Sequence, residues 1–115
     1  MTVGRVADVA GTELRGDGIE AVVKKVLVSP AEGWDGWVMR VFELGEGGHT
    51  PRHRHEWPHV NVVLQGAGRL NLDGVDHEVS AGSYAFVPAG ALHQFANAGS
   101  APFAFVCIVP AEGDV

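Results

Sequence analysis

Four of the six histidines in this chain lie within one stretch, GGHTPRHRHEWPHVNVVLQGAG, which spans residues 47–68. Neutral imidazole binds transition metals well, so crowding of this kind indicates metal chemistry. His53 and His55 are separated by one residue. On a strand two such side chains point the same way, about 7 Å apart, which suits two ligands of one ion.

The remaining histidines have simpler interpretations when each is taken alone. A single histidine on a strand is more often hydrogen-bonded or exposed than bound to a metal. His49 and His77 lie beside glycines or charged residues and are interpreted as surface residues. His59 begins an apolar segment, and His93 begins another one far away in sequence. His59 and His93 become candidate metal ligands only through the residues around them.

Short strands are the elements that must position these histidines. Segments rich in valine and phenylalanine are predicted as strands at 21–28, 36–44, 59–65, 68–74, 75–80, 83–88, 92–97 and 103–110. The pair Asp73-Gly74 is typical of a two-residue hairpin turn. Sixteen glycines and six prolines favour turns, and no segment keeps a helical period. The sequence therefore predicts an all-β sandwich or barrel with little or no helix.

Length and charge exclude several classes of function. The 115 residues suit one domain, and 8 basic against 14 acidic residues disfavour binding to nucleic acid or to an anionic membrane. No apolar run approaches the roughly 20 residues that cross a bilayer, and the first residues lack the features of a signal peptide. A cytoplasmic location is therefore expected. Cys107 is the only cysteine, so no internal disulfide can form.

Two segments resemble the defining motifs of the cupin family. Residues 47–66 read G-x5-H-x-H-x3-H-x6-G, and residues 82–97 read G-x5-P-x-G-x2-H-x3-N. The resemblance extends from about residue 26 to residue 115, and it implies an antiparallel jelly-roll barrel with a metal inside. It implies a single cupin barrel over residues 21–115, preceded by an N-terminal segment, residues 1–20, that could pair with a partner subunit. A homodimer is expected on the same ground.

One position departs from the family pattern, since most cupins carry glutamate where this chain has His59. The implied ligands are therefore His53, His55, His59 and His93, as in small bacterial cupins with all-histidine sites. The implied cofactor is a divalent transition metal ion, with manganese first and iron, nickel, copper or zinc as alternatives. Four neutral ligands would leave the full charge on the ion and make it a stronger Lewis acid.

Strand alternation predicts which side chains surround the histidines, because every second residue of a strand faces the same side. On the last predicted strand the bulkier set is assigned to the interior. Trp57 either caps the pocket or lies in an interface. Cys107 either lines the pocket or is simply a small buried hydrophobic residue. The candidates for the pocket are Trp57, Asn61, Gln65, Phe95, Phe105 and Cys107.

Arg40 is the only arginine inside an apolar predicted strand. Pointing inward it could bind a substrate carboxylate, and pointing outward it would pair with a surface acid. The outward orientation is expected, because arginine is rarely buried without a partner.

The resemblance implies a metal-dependent oxidoreductase of dioxygenase type that acts on a small molecule. Two alternatives stay open because one fold hosts many functions. The first is a non-catalytic module that binds a small ligand. The second is a metal-dependent isomerase or lyase that acts on a sugar or a keto acid.

Overall fold

Nine antiparallel strands form one sheet that closes almost completely into a barrel. The computed structural model describes residues 2–114. The strands are β1 (Thr12–Leu14), β2 (Glu20–Val28), β3 (Trp37–His49), β4 (His59–Gln65), β5 (Ala67–Leu72), β6 (Val75–Ser80), β7 (Tyr84–Val87), β8 (His93–Asn97) and β9 (Phe103–Pro110). Within residues 2–114 the only helices are short 3₁₀ turns at Val6–Asp8, Pro30–Glu32 and Ala111–Gly113. The prediction of an all-β antiparallel jelly-roll barrel with little or no helix is confirmed.

The order of the strands brings the two histidine motifs together. β3 pairs with β2 on one side and with β9 on the other, and β9 then pairs with β4. β8 pairs with β5, and a single bridge joins His53 to His93. The segment that carries His53 therefore lies beside the start of β8, although 40 residues of sequence separate the two histidines.

The turn between β5 and β6 is the predicted hairpin. Asp73 and Gly74 have positive φ angles of 49° and 86°, and Leu72 pairs with Val75 across them. Glycine adopts this left-handed conformation without steric cost, and aspartate tolerates it better than most residues. The structure also adds β1, which the sequence does not predict, and extends β3 as far as His49.

The interior of the barrel is filled mainly by aliphatic and aromatic side chains. Phe105 is central, because its ring stacks on Phe95 at 4.1 Å and lies 5.4 Å from Phe103. The buried residues of this cluster are Val22, Leu44, Val63, Leu70, Phe95, Phe103 and Phe105. Burial of such side chains contributes about 1.5–3 kcal/mol each, so the apolar strands supply the core.

The N-terminal segment packs against its own barrel. Val6 packs on a second buried cluster formed by Val41, Ala104 and Val106, and β1 pairs with β2 of the same chain. Pairing of residues 1–20 with a partner subunit stays a prediction. Among residues 2–114 no helix has the length and apolar character that crossing a membrane requires.

The outer face of β4 and the edge strand β7 is apolar and exposed. Val60 lies opposite Phe86, and Val62 lies opposite Tyr84. Phe86 is 59% exposed and Tyr84 is 81% exposed. Exposed apolar strips are typical of contacts between proteins. The homodimer itself stays a prediction.

We expect Gly68→Ala to destabilise the barrel by about 1–3 kcal/mol, because overpacking forces a closed core to shift. A Cβ atom at Gly68 would collide with the ring of Phe103, which is completely buried and has no room to move. Urea denaturation measures the free energy of unfolding. Gly99→Ala is the matched control, because no atom lies within 4 Å of the Cβ that it adds. Equal stability of the two variants would contradict this account of the packing.

Candidate metal centre

Four imidazole rings converge at one place on the barrel, where His59 and His93 are buried, His55 is half-buried and His53 is exposed. Neighbouring ring centroids lie between 4.8 and 5.3 Å apart for the set His53, His55, His59 and His93. The nitrogen atoms that His53, His55 and His93 offer all lie within 4.8 Å of one another. This three-histidine group is close enough to hold one metal ion.

The backbone fixes where each ring begins. His59 is the first residue of β4 and His93 is the first residue of β8. Reciprocal hydrogen bonds join the backbones of His53 and His93, with nitrogen-to-oxygen distances of 3.1 and 3.0 Å. The N–H of Gly90 donates to the carbonyl oxygen of His55 at 2.8 Å. Main-chain bonds of this kind hold the H-x-H segment against the turn before β8.

Carbonyl oxygens determine the tautomer of three of the rings. Nδ1 of His55 lies 2.8 Å from the carbonyl oxygen of Trp57, and Nδ1 of His93 lies 2.9 Å from that of Ala91. Nδ1 of His59 lies 2.7 Å from the side-chain oxygen of Asn61. An amide oxygen only accepts, so each Nδ1 carries the proton and each Nε2 keeps its lone pair.

The orientation of the Asn61 amide is itself fixed. Its nitrogen donates to the carbonyl oxygen of Val106 at 3.2 Å, which leaves its oxygen facing His59. The Nε2 atoms of His59 and His93 lie only 3.2 Å apart. Because both atoms carry lone pairs, neither can donate to the other, and a cation between them would turn repulsion into attraction.

The cluster favours neutral imidazoles. Burial lowers the pKa of His59 from 6.5 to about 3, against the opposing effect of its hydrogen bond to Asn61. Burial also lowers the pKa of His53 to about 4, and the neighbouring His93 and His55 lower it further. The pKa of His93 is lowered chiefly by burial. At pH 7 these three rings are therefore neutral, which is the form that binds metal.

A cavity of about 320 Å³ opens beside the rings. Trp57 lies at this cavity, where its ring stacks on His55 with centroids 4.8 Å apart. Asn61, Phe95, Phe105 and Cys107, which strand alternation predicts for the pocket, are buried and also line the cavity. The functional roles of these residues stay predictions.

The structure corrects the placement of Gln65, which is exposed and lies outside the residues that line the cavity. The register between β4 and β9 shifts between Val63 and Gln65. Such a bulge breaks the alternation of side chains, and Gln65 therefore does not share the inner face with His59 and Asn61. His49 is half-buried outside the cluster, and His77 is exposed.

The expected orientation of Arg40 is wrong. Its side chain points inward, is only 7% exposed and lines the cavity. Nη2 donates to Sγ of Cys107 at 3.0 Å, and Nη1 lies 3.4 Å from an oxygen of Asp114. Burial raises the pKa of the Cys107 thiol, so the sulfur that accepts this bond is neutral.

Several residues of the lining are absent from the sequence-based prediction. Phe42 follows Arg40 on the same face of β3, and alternation from an inward Arg40 would have found it. The aliphatic wall comes from β1, β2 and the loop between them, namely Leu14, Ile19 and Val22. No short-range pattern connects that wall to the histidine motifs.

A family model described as the cupin domain matches residues 40–109. A polyketide cyclase from Streptomyces resistomycificus has a similar structure, with a TM-score of 0.89 and 31% sequence identity. The superposition covers 96% of this chain and 80% of the cyclase.

Two curated relatives are similar over shorter lengths. A 1-methylthio-D-xylulose 5-phosphate methylsulfurylase from Rhodospirillum rubrum is 32% identical over 76 residues, which are 66% of this chain and 49% of the relative. A dimethylsulfoniopropionate lyase from Ruegeria pomeroyi is 38% identical over 56 residues, which are 49% of this chain and 37% of the lyase. The chain thus spans about half the length of the first relative and less of the second.

We expect the free energy of unfolding of the metal-free protein to fall as the pH drops from about 6.5 toward 4. Histidines of the unfolded chain take up protons near pH 6.5. In the folded chain His53 does so only near pH 4 and His59 near pH 3. The unfolded state therefore binds more protons across this range, and acid favours it.

Urea denaturation at several pH values in the presence of a chelator measures this slope. His59→Gln should reduce it by at most about 1.4 kcal/mol per pH unit, the contribution of one linked proton. His77→Gln, at an exposed position, should leave it unchanged. An identical slope for the wild type and His59→Gln would refute the pKa assignment.

Proposed function

This chain belongs to the cupin domain family, and on that premise we propose that it is a metal-dependent enzyme acting on a small molecule. The ion would be held by His53, His55, His59 and His93. The approach of two lone-pair nitrogens to 3.2 Å carries the proposal, because two neutral acceptors repel each other and a shared cation would stabilise them.

The distance itself supports His59 as the fourth ligand. Two histidine nitrogens that each lie about 2.1 Å from one ion are about 3.0–3.4 Å apart when the angle at the ion is near 90–110°. The observed separation of Nε2 in His59 from Nε2 in His93 falls in this interval. The carbonyl acceptors behind the rings supply the outer hydrogen bonds that usually orient metal-binding histidines.

A divalent ion in this place would supply a Lewis acid that polarises a carbonyl or enol oxygen. The remaining work falls to the chain. Asn61 holds the tautomer of His59, and the aromatic wall of Phe95 and Phe105 keeps water away from one side of the cavity. Manganese as the ion stays a prediction, as do the homodimer and the cytoplasmic location.

Lyase or isomerase chemistry at a carbonyl compound is our first choice of reaction. Two of the similar proteins described above are named as a lyase and a cyclase, which are not names of oxidative reactions. The dioxygenase-type oxidoreductase activity expected from the sequence, and binding without catalysis, stay open as outcomes of the test.

We expect His59→Ala to lower the metal content of protein expressed with balanced metals, because one ligand of a shared ion is lost. His53→Ala, His55→Ala and His93→Ala should do the same. Elemental analysis after gel filtration measures the metal-to-protein ratio. His77→Ala is the control, since His77 is an exposed residue of β6 outside the cluster. Metal content that survives His59→Ala in full would leave a three-histidine site and remove His59 from the ligand set.

We expect the metal-loaded protein to convert at least one small sugar or keto acid at equal rates under air and under argon. Polarising a carbonyl needs no oxidant, so removing oxygen should leave the rate unchanged. Product analysis by NMR over a substrate panel measures this, with His77→Ala as the active control and His53→Ala as the inactive one. Product that forms only under air would favour the dioxygenase activity. Tight binding without any turnover would favour the binding module.

A further inference from the structure

We propose that Arg40 forms an anion subsite inside the barrel and that the substrate is a small carboxylate with a partly apolar body. The inference rests on the proposed function for the chemistry next to the subsite. Binding of the anion itself depends only on Arg40 and its surroundings.

The register of the sheet places Arg40 in line with the candidate metal centre. Arg40 lies opposite Cys107 in the pairing of β3 with β9, and Cys107 lies opposite Asn61 in the pairing of β9 with β4. Asn61 contacts His59, which is two residues along β4. Two residues of strand correspond to about 7 Å and two strand spacings to about 10 Å, so the backbone of Arg40 lies roughly 12 Å from that of His59. The long side chain of Arg40 shortens this distance, since it reaches Sγ of Cys107 and lines the same cavity as the histidines. A small molecule bound to Arg40 through its carboxylate would therefore extend toward the histidines.

The charge of the cavity favours an anion. Among residues 2–114 no aspartate or glutamate lines the cavity, and Arg40 is the one formally charged side chain that does. The nearest acid, Asp114, lies 3.4 Å from Arg40 but 2.6 Å from Nζ of Lys24. One carboxylate thus serves two cations, and the positive charge of Arg40 is only partly compensated.

The hydrogen bonds of the guanidinium are also incomplete. A guanidinium has five N–H groups, and here one bond runs to a sulfur and one long bond runs to Asp114. Nε of Arg40 is buried and has no partner among residues 2–114. Buried polar groups are nearly always bonded, and the fork of a guanidinium matches the two oxygens of a carboxylate.

The walls around the subsite define the rest of the ligand. The guanidinium carbon lies 4.8 Å from the centroid of Phe42, which stacks on Phe105 at 5.6 Å. A singly charged carboxylate costs less to bring into such surroundings than a doubly charged phosphate does. The volume of about 320 Å³ restricts the body to a small molecule.

The probes are 3-phenylpropionate and its neutral amide, 3-phenylpropionamide, which differ only in the charged group. Isothermal titration calorimetry measures both dissociation constants on the protein as purified and again after removal of metal with a chelator. We expect the carboxylate to bind at least tenfold more tightly than the amide in both preparations. Equal affinity for the two probes would overturn the proposal.

Substitutions on the two sides of the ion pair should shift the affinity in opposite directions. Arg40→Gln should abolish the preference for the carboxylate, whereas Asp114→Asn should strengthen carboxylate binding severalfold by removing the competing acid. Arg69→Gln is the control, because Arg69 is an exposed residue that pairs with Glu78 outside the cavity. Thermal unfolding reports whether each variant folds. If Arg40→Gln does not fold, the change in carboxylate affinity of Asp114→Asn tests the proposal.

A preference that survives Arg40→Gln but disappears with the metal would locate the anion at the ion and overturn the Arg40 subsite. Carboxylate binding that is unchanged or weaker in Asp114→Asn would also overturn it. Failure of the proposed enzyme activity, by contrast, would leave the preference in the metal-free protein intact, and so the two proposals fail separately.

Discussion

The hydrogen bonds from Nδ1 of three histidines to carbonyl oxygens are the interactions on which the candidate metal centre depends. Two acceptors, in Trp57 and Ala91, belong to the main chain and cannot turn away. The third belongs to Asn61, whose amide is held by the backbone of β9. The backbone therefore sets the direction of the Nε2 lone pair in each of these three rings.

This arrangement requires the rings themselves to stay unprotonated. Burying imidazole nitrogens whose lone pairs accept no hydrogen bond destabilises the folded state. Burial disfavours the protonated rings as well, as the lowered pKa of His59 indicates. The burial of the apolar strands around Phe105 offsets both effects and stabilises the fold. An acidic protein thus encloses a cavity whose described lining has no carboxylate, so the inside and the outside differ in the sign of their charge.

Much of this architecture could be predicted from the sequence. The alternating burial of β4, the apolar run of β9 and the Asp73-Gly74 turn correspond to strands and a hairpin that the sequence predicts, and the histidine spacing indicates the family. Gln65 could not be placed, because the sequence pattern of β4 does not reveal the bulge before it. Arg40 could not be placed either, since both faces of β3 are largely buried and its acid partner lies 74 residues away. The acceptors that set the tautomers lie only two residues from their histidines, but the backbone geometry that turns each oxygen toward Nδ1 cannot be read from the sequence.

The last 3₁₀ turn forms part of the cavity wall, with Gly113 packed against the ring of Trp57 and Asp114 bonded to Arg40 and Lys24. Its position matters for the preparation of the protein. A label or added charge placed within residues 111–114 would lie beside the pocket and would disturb the charge next to Arg40. Val3 is fully exposed at the other end of the described chain, and a tag attached there would leave the cavity unchanged.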